Sequence, residues 1–135
     1  MALLVMLGGC AAPAHSPHAD GITEKYWKLV ELNGKPVPRL EREPSMTLRG
    51  EAARVTGYSG CNNFVGTYTL DEPLLRIRFN QIAVTERACV MGGDTEAAFL
   101  EVLRNADNFS QQGDRLSLNR ARMAPLARFE AVYLR

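Results

Sequence analysis

Two sets of residues in this chain have types and spacings that suggest chemistry: cysteines at 10, 61 and 89, and histidines at 15 and 18. Cysteine with histidine is the minimal apparatus of thiol nucleophilic catalysis, and the same residue types bind zinc. The spacing argues against both uses. Ala11 to Gly21 is small, Pro-containing and without hydrophobic periodicity, so it cannot bury a core and reads as a tether. Both histidines lie in it. The remainder of the chain has no histidine, which leaves Ser-His-Asp and Cys-His arrangements without a base. His15-x-x-His18 offers two ligands on a solvated tether, so no metal or cofactor is expected. Cys61 and Cys89 have no C-x-x-C partner, and no Gly-rich phosphate loop occurs. Asp71-Glu72 sits beside Pro73, the setting of a solvated turn and not of an acid–base pair. No enzyme activity is expected.

Cys10 has a different context. It follows Leu7-Gly8-Gly9 and a short apolar run, a sequence that resembles the lipobox of bacterial lipoproteins. The resemblance implies cleavage before Cys10, a signal peptide over 1–9, a tether over 10–23 and a folded domain over 24–135. It also implies acylation of Cys10, with palmitate-type chains. One chain anchors marginally, while two or more hold stably. Ala11 at the following position favours the outer membrane of a Gram-negative bacterium, with the domain on the periplasmic face. Met1 to Leu7 lacks Lys and Arg, which signal peptides usually carry at their start. Two alternatives therefore stay open: Met1 is an internal methionine of a longer signal, or Cys10 is an ordinary free cysteine after a chance apolar start.

If Cys10 is acylated, Cys61 and Cys89 form an even pair in a compartment where disulfides persist. Closing that loop would contribute about 3–4 kcal/mol in a chain-entropy account. Two buried free thiols are the alternative. Lys and Arg number 16 against 15 Asp and Glu, a formal net charge of +1 that gives no field for steering nucleic acid. The arginines are numerous, but many stand beside acids, as in Arg39-Leu40-Glu41-Arg42-Glu43. Solvated ion pairs explain them as well as an anion site does.

The elements that must position these residues are mostly strands. Tyr26 to Leu32 is β-rich and ends at the turn Asn33-Gly34-Lys35-Pro36. Ser45–Arg49 and Ala53–Gly57 flank Gly50-Glu51 as a hairpin. Phe64–Leu70 is a strand, Leu75, Ile77 and Phe79 alternate with arginines, and Ile82–Thr85 is a further candidate. The period then changes. Asp94 is placed to cap a helix to about Asn105, with Glu96 in its first turn and Phe99, Leu100 and Leu103 on one face. Asn108–Gln112, Arg115–Asn119 and Leu126–Leu134 read as strands. Eight or nine short strands and one main helix near 94–105 predict an α+β fold. Its antiparallel sheet is curled, partly barrel-like, and packed with the helix.

Ser59-Gly60-Cys61-Asn62-Asn63-Phe64-Val65-Gly66-Thr67-Tyr68 resembles the G-C-N-x-x-x-G-x-Y core of the META/HslJ-like domain. Thr85-Glu86-Arg87-Ala88-Cys89 is similar to that family's T-x-R-x-C segment, and Glu96 with Phe99, Leu100 and Leu103 to its helix. The resemblance spans about 24–135 and implies an envelope protein without an assigned reaction, linked to heat-shock or envelope stress and drug tolerance. Asn62, Asn63, Arg87 and Glu96 are the candidate polar site, for a ligand or for the fold itself. Asn tolerates the left-handed backbone of turns. Arg87 is expected on the same side of a strand as Cys89 and paired with Glu96. Gly57, Gly60 and Gly66 are expected to let the sheet bend, and Trp27 and Tyr68 to be core.

The function these readings favour is a lipid-anchored, monomeric periplasmic module that binds or supports an envelope component without catalysis. The alternative is a small-molecule binder or hydrolase using the mouth of the curled sheet. Thiol titration of the unreduced, acylated protein should find no free thiol; two titratable thiols would reject the Cys61–Cys89 bond.

Overall fold

The computed structural model describes residues 21–133, together with Leu4, Gly8 and Gly9. Cys10 with its expected acylation, Ala11, His15, His18, and the rest of the expected signal peptide and tether up to residue 20 lie outside the described residues.

Among the described residues nine strands occur in chain order: β1 (Tyr26–Leu32), β2 (Lys35–Pro36), β3 (Ser45–Arg49), β4 (Arg54–Tyr58), β5 (Asn63–Asp71), β6 (Arg76–Val84), β7 (Asn108–Gln112), β8 (Arg115–Asn119) and β9 (Ala127–Val132). One α-helix among the described residues, α1 (Gly93–Asn105), joins β6 to β7. All pairings are antiparallel, and from β3 to β9 each strand pairs with the next in sequence. Because β1 pairs with both β3 and β9, the sheet curls until its two ends meet. The result is the expected α+β fold, a ring-like curled sheet with a single main helix.

Strand alternation builds the interior. Trp27, Leu29, Met46, Leu48, Val55, Phe64, Tyr68, Ile77, Phe79, Phe109, Leu116, Leu118 and Phe129 are buried, while intervening residues such as Arg76, Arg78 and Arg128 face water. The ring is thinnest between β6 and β7, where a single residue pair, Arg76 with Asn108, bridges the strands. Helix α1 packs against β6 there and turns Phe99, Leu100, Val102 and Leu103 inward. Phe99 is fully buried, with its ring edge-on to Phe64 at 5.4 Å and tilted against Phe129 at 5.8 Å. Glu101 and Arg104 face out, as the helical period requires.

Several local expectations change. Gly92, not Asp94, occupies the helix cap position, and no side chain caps the helix. Gly92 has φ +90° and packs so tightly that a Cβ would lie 2.1 Å from the Gly60 carbonyl oxygen. Only glycine fits there. Leu75 is about half exposed and has a left-handed backbone, because it closes the β5–β6 turn through its N–H to the Glu72 carbonyl at 3.0 Å. The inward alternation therefore starts at Ile77. Ile82–Thr85 forms no separate strand: β6 runs through to Val84 past a bulge at Gln81, where the pairing slips opposite Gly66. Gly57 lies in regular register, and its role is close approach, not bending. A Cβ there would meet the Ser45 carbonyl oxygen at 2.3 Å and the Phe64 ring at 2.4 Å.

The folded unit also begins earlier than the expected boundary at residue 24. Ile22 is a core residue, and its carbonyl accepts the Trp27 Nε1–H at 2.8 Å. The Gly21 carbonyl accepts from Lys25 Nζ and Gln111 Nε2. A lone Ile after a polar stretch has no period to reveal its burial.

Phe99→Ala should cost about 3–5 kcal/mol of unfolding free energy by denaturant titration. A loss below about 1 kcal/mol would show that the helix does not fill the ring through this residue.

Candidate functional site

Residues of the two motifs meet at one end of the sheet, where the β4–β5 turn, the loop after β6 and the first turn of α1 converge. Asn62 is the centre of this junction and is only 4% exposed. Its backbone N–H donates to Glu96 Oε2 at 2.9 Å, and its Nδ2 donates to the same oxygen at 3.0 Å. Nδ2 also reaches the Arg87 carbonyl at 3.3 Å. Its Oδ1 accepts the Arg87 N–H at 2.8 Å and the Thr85 hydroxyl at 3.0 Å. The buried Ser59 hydroxyl donates to Glu96 Oε2, and Ser59 N–H donates to the Asn62 carbonyl at 2.8 Å.

Every polar group of Asn62 is thus matched, as burial demands. The carboxylate of Glu96 sits at the positive end of α1 while accepting from two residues of the β4–β5 turn, so one group fixes both helix and turn. Cys61 and Cys89 are joined by a disulfide with Cα atoms 5.8 Å apart, which staples the loop after β6 to the same turn. Three pieces of chain are held by one polar cluster and one covalent bond.

The candidate residues therefore divide. Asn62 and Glu96 come together, and both act on the fold. Arg87 does not pair with Glu96: among the described residues no ion pair joins them, and the Arg87 side chain is exposed. Residues 85–89 are not in a strand, so the alternation that placed Arg87 beside Cys89 does not apply. Its peptide group, not its guanidinium, enters the cluster through Asn62. Asn63 is exposed and its Oδ1 accepts from Arg42 Nη1 at 3.3 Å. Ser59 and Thr85 belong to the cluster without having been singled out from sequence. The available signal was the Ser59-x-x-Asn62 spacing, which suits a side-chain-stabilised turn.

Outside the cluster lies a cleft of about 630 Å³, lined by residues 40–42 on one side and 87–91 on the other, with Tyr58, Gly60 and the disulfide between them. Arg42 lies over the Tyr58 ring, 4.3 Å from its centroid. Val90 is fully exposed and Met91 about two-thirds exposed. A second concavity of about 480 Å³ lies over β1, β8 and β9. Its charges face one another, with Arg128 3.7 Å from Glu31 and Arg115 opposite Glu130. Tyr68 is a core residue, as expected: burial pushes its phenol pKa up, and its hydroxyl donates to the Arg49 carbonyl at 2.8 Å. Among the described residues no group of three or more His, Cys, Asp and Glu is placed to hold a metal ion.

This fold and this cluster of motif residues define a class. The model of the META domain matches residues 20–133, and the chain belongs to that family. No curated protein matches the sequence significantly. Among solved structures, an NMR structure of a protein from Burkholderia xenovorans superposes with TM-score 0.65 at 19% identity, covering 93% of this chain and 97% of that one. The crystal structure of a DUF4847 family protein from Bacteroides vulgatus gives TM-score 0.62 at 16% identity, covering 81% of this chain and 93% of that one. At these identities the likeness is one of fold.

Asn62→Ala should lower unfolding free energy by about 3 kcal/mol, since it strips bonds from a half-buried carboxylate and two loop peptides. Loss of less than about 1 kcal/mol in denaturant titration would show the cluster to be incidental.

Proposed function

We propose that the protein is a non-catalytic binding or support module, anchored through an acylated Cys10 to the periplasmic face of the outer membrane and serving in envelope stress or drug tolerance. The observation that carries the non-catalytic part is the division of labour at the motif residues. Ser59, Asn62, Thr85 and Glu96 bond to one another and to loop peptides, so their chemistry holds the fold together. The Cys61–Cys89 disulfide suits an oxidising compartment, and the Leu7-Gly8-Gly9-Cys10 sequence supports the anchor. No helix among the described residues is long and apolar enough to cross a membrane, so in this reading the acyl chains supply the attachment.

The alternative of a small-molecule binder or hydrolase is favoured in its binding half only. The cleft beside the disulfide presents arginines and an aromatic ring, groups that recognise a ligand.

Replacing Cys10 by Ser in the protein expressed in a Gram-negative host should move it from the membrane pellet to the soluble periplasmic fraction. Unchanged pelleting would overturn the anchor.

A further inference from the structure

The cleft between residues 40–42 and 87–91 lies outside the polar cluster, and the cluster's work on the fold does not account for it. Its walls combine two kinds of surface. Leu40, Val90, Met91 and the disulfide sulfurs are apolar, whereas Arg42 and Arg87 bring two exposed guanidinium groups. Among the described residues, Glu41 is the one acidic residue lining the same cleft, so their charged lining sums to one positive charge.

Both walls are built to stay in place. Arg42 stacks over Tyr58 and donates one N–H to Asn63, which leaves the rest of its five-donor fork directed elsewhere. On the other side, the Arg87 peptide is clamped by Asn62 at both its N–H and its carbonyl. Cys89 is covalently bound, and Gly92 is locked against Gly60. Val90 and Met91 are therefore held out into water between two fixed points. Exposed apolar residues on a loop pinned this way give a binding surface that loses little entropy on binding.

We propose that this cleft binds a small amphipathic anion. Its carboxylate or phosphate head would lie between Arg42 and Arg87, and its short apolar portion would lie along Leu40, Val90, Met91 and the disulfide. Arginine matches both head groups bidentately, so the two share one chemistry here. The volume is in the range of small-molecule sites. Asn63 and Tyr58 are positioning residues that orient Arg42. This inference rests on the binding half of the proposed function and is independent of the membrane anchor.

The test uses the full chain carrying Cys10→Ser, purified with its disulfide formed, so that binding is read in solution whatever the fate of the anchor. Octanoate, octyl phosphate, octanol and inorganic phosphate are titrated separately while amide resonances are followed by NMR. Octanoate, octyl phosphate or both should shift Gly60, Cys61 and residues 87–91 saturably; whichever binds more tightly identifies the head group. R42Q/R87Q should weaken that binding by about tenfold or more with an unchanged melting temperature. R42K/R87K should restore part of it, because charge without the planar fork is retained. Absence of saturable shifts in the cleft, equal binding of octanol or of inorganic phosphate, or full binding by R42Q/R87Q would each overturn the inference. Anion binding by a chain whose wild-type form never pellets with membranes would uphold the cleft and sink the anchor alone.

Discussion

The structure depends on how an almost closed sheet deals with the place where it fails to close. Strands β6 and β7 share one residue pair, while β5 and β6 share an extended ladder on the other side. Left alone, that opening would admit water to the core and expose strand edges. Helix α1 lies against β6 and contributes Phe99 to the middle of the ring, between Phe64 and Phe129. One helix with four inward apolar residues completes the core.

A helix used as a wedge must be held at its start, and here no side chain caps it. Glu96 takes that task. Its carboxylate accepts bonds from Ser59 and Asn62, so the charge at the positive end of the helix is also the tie to the β4–β5 turn. Asn62 then extends the tie to the loop after β6, and the Cys61–Cys89 bond makes it covalent. The polar cluster is expensive to bury and is tolerable because each donor and acceptor in it is matched. A consequence follows for the surface. The loop that carries Arg87, Val90 and Met91 is tied to Asn62 and to Cys61, so the residues of the two motifs border an exterior cleft.

The strands, their alternation and the helix were legible in the sequence because period and turn chemistry are local. Trp27, Tyr68 and Phe99 were legible as core for the same reason. Misreadings cluster where backbone geometry overrides pattern. Leu75 has the right spacing for the core but sits in a left-handed turn, and Gln81 inserts a bulge that merges two strand signals into one. Gly57 looked like a bend, yet it clears space for Phe64 and the Ser45 carbonyl, neighbours on other strands. Ile22 had no periodic companions to announce its burial.

At the site, the motif resemblance picked out Asn62, Asn63, Arg87 and Glu96, cysteine counting picked out Cys61 and Cys89, and residue types removed most catalytic options by leaving the domain without histidine. Which of them touch is a matter of distance between segments far apart in the chain, and spacing carries no such information. Only the packed structure decided that Asn62, not Arg87, meets Glu96, because hydrogen-bond partners are chosen by where turns and loops are brought to rest. The sequence by itself determined most of the elements and the family, because period, turn chemistry and motif spacing are local. Tertiary packing decided that the motif's polar groups face inward and that Arg42 and Arg87 are left facing a cleft.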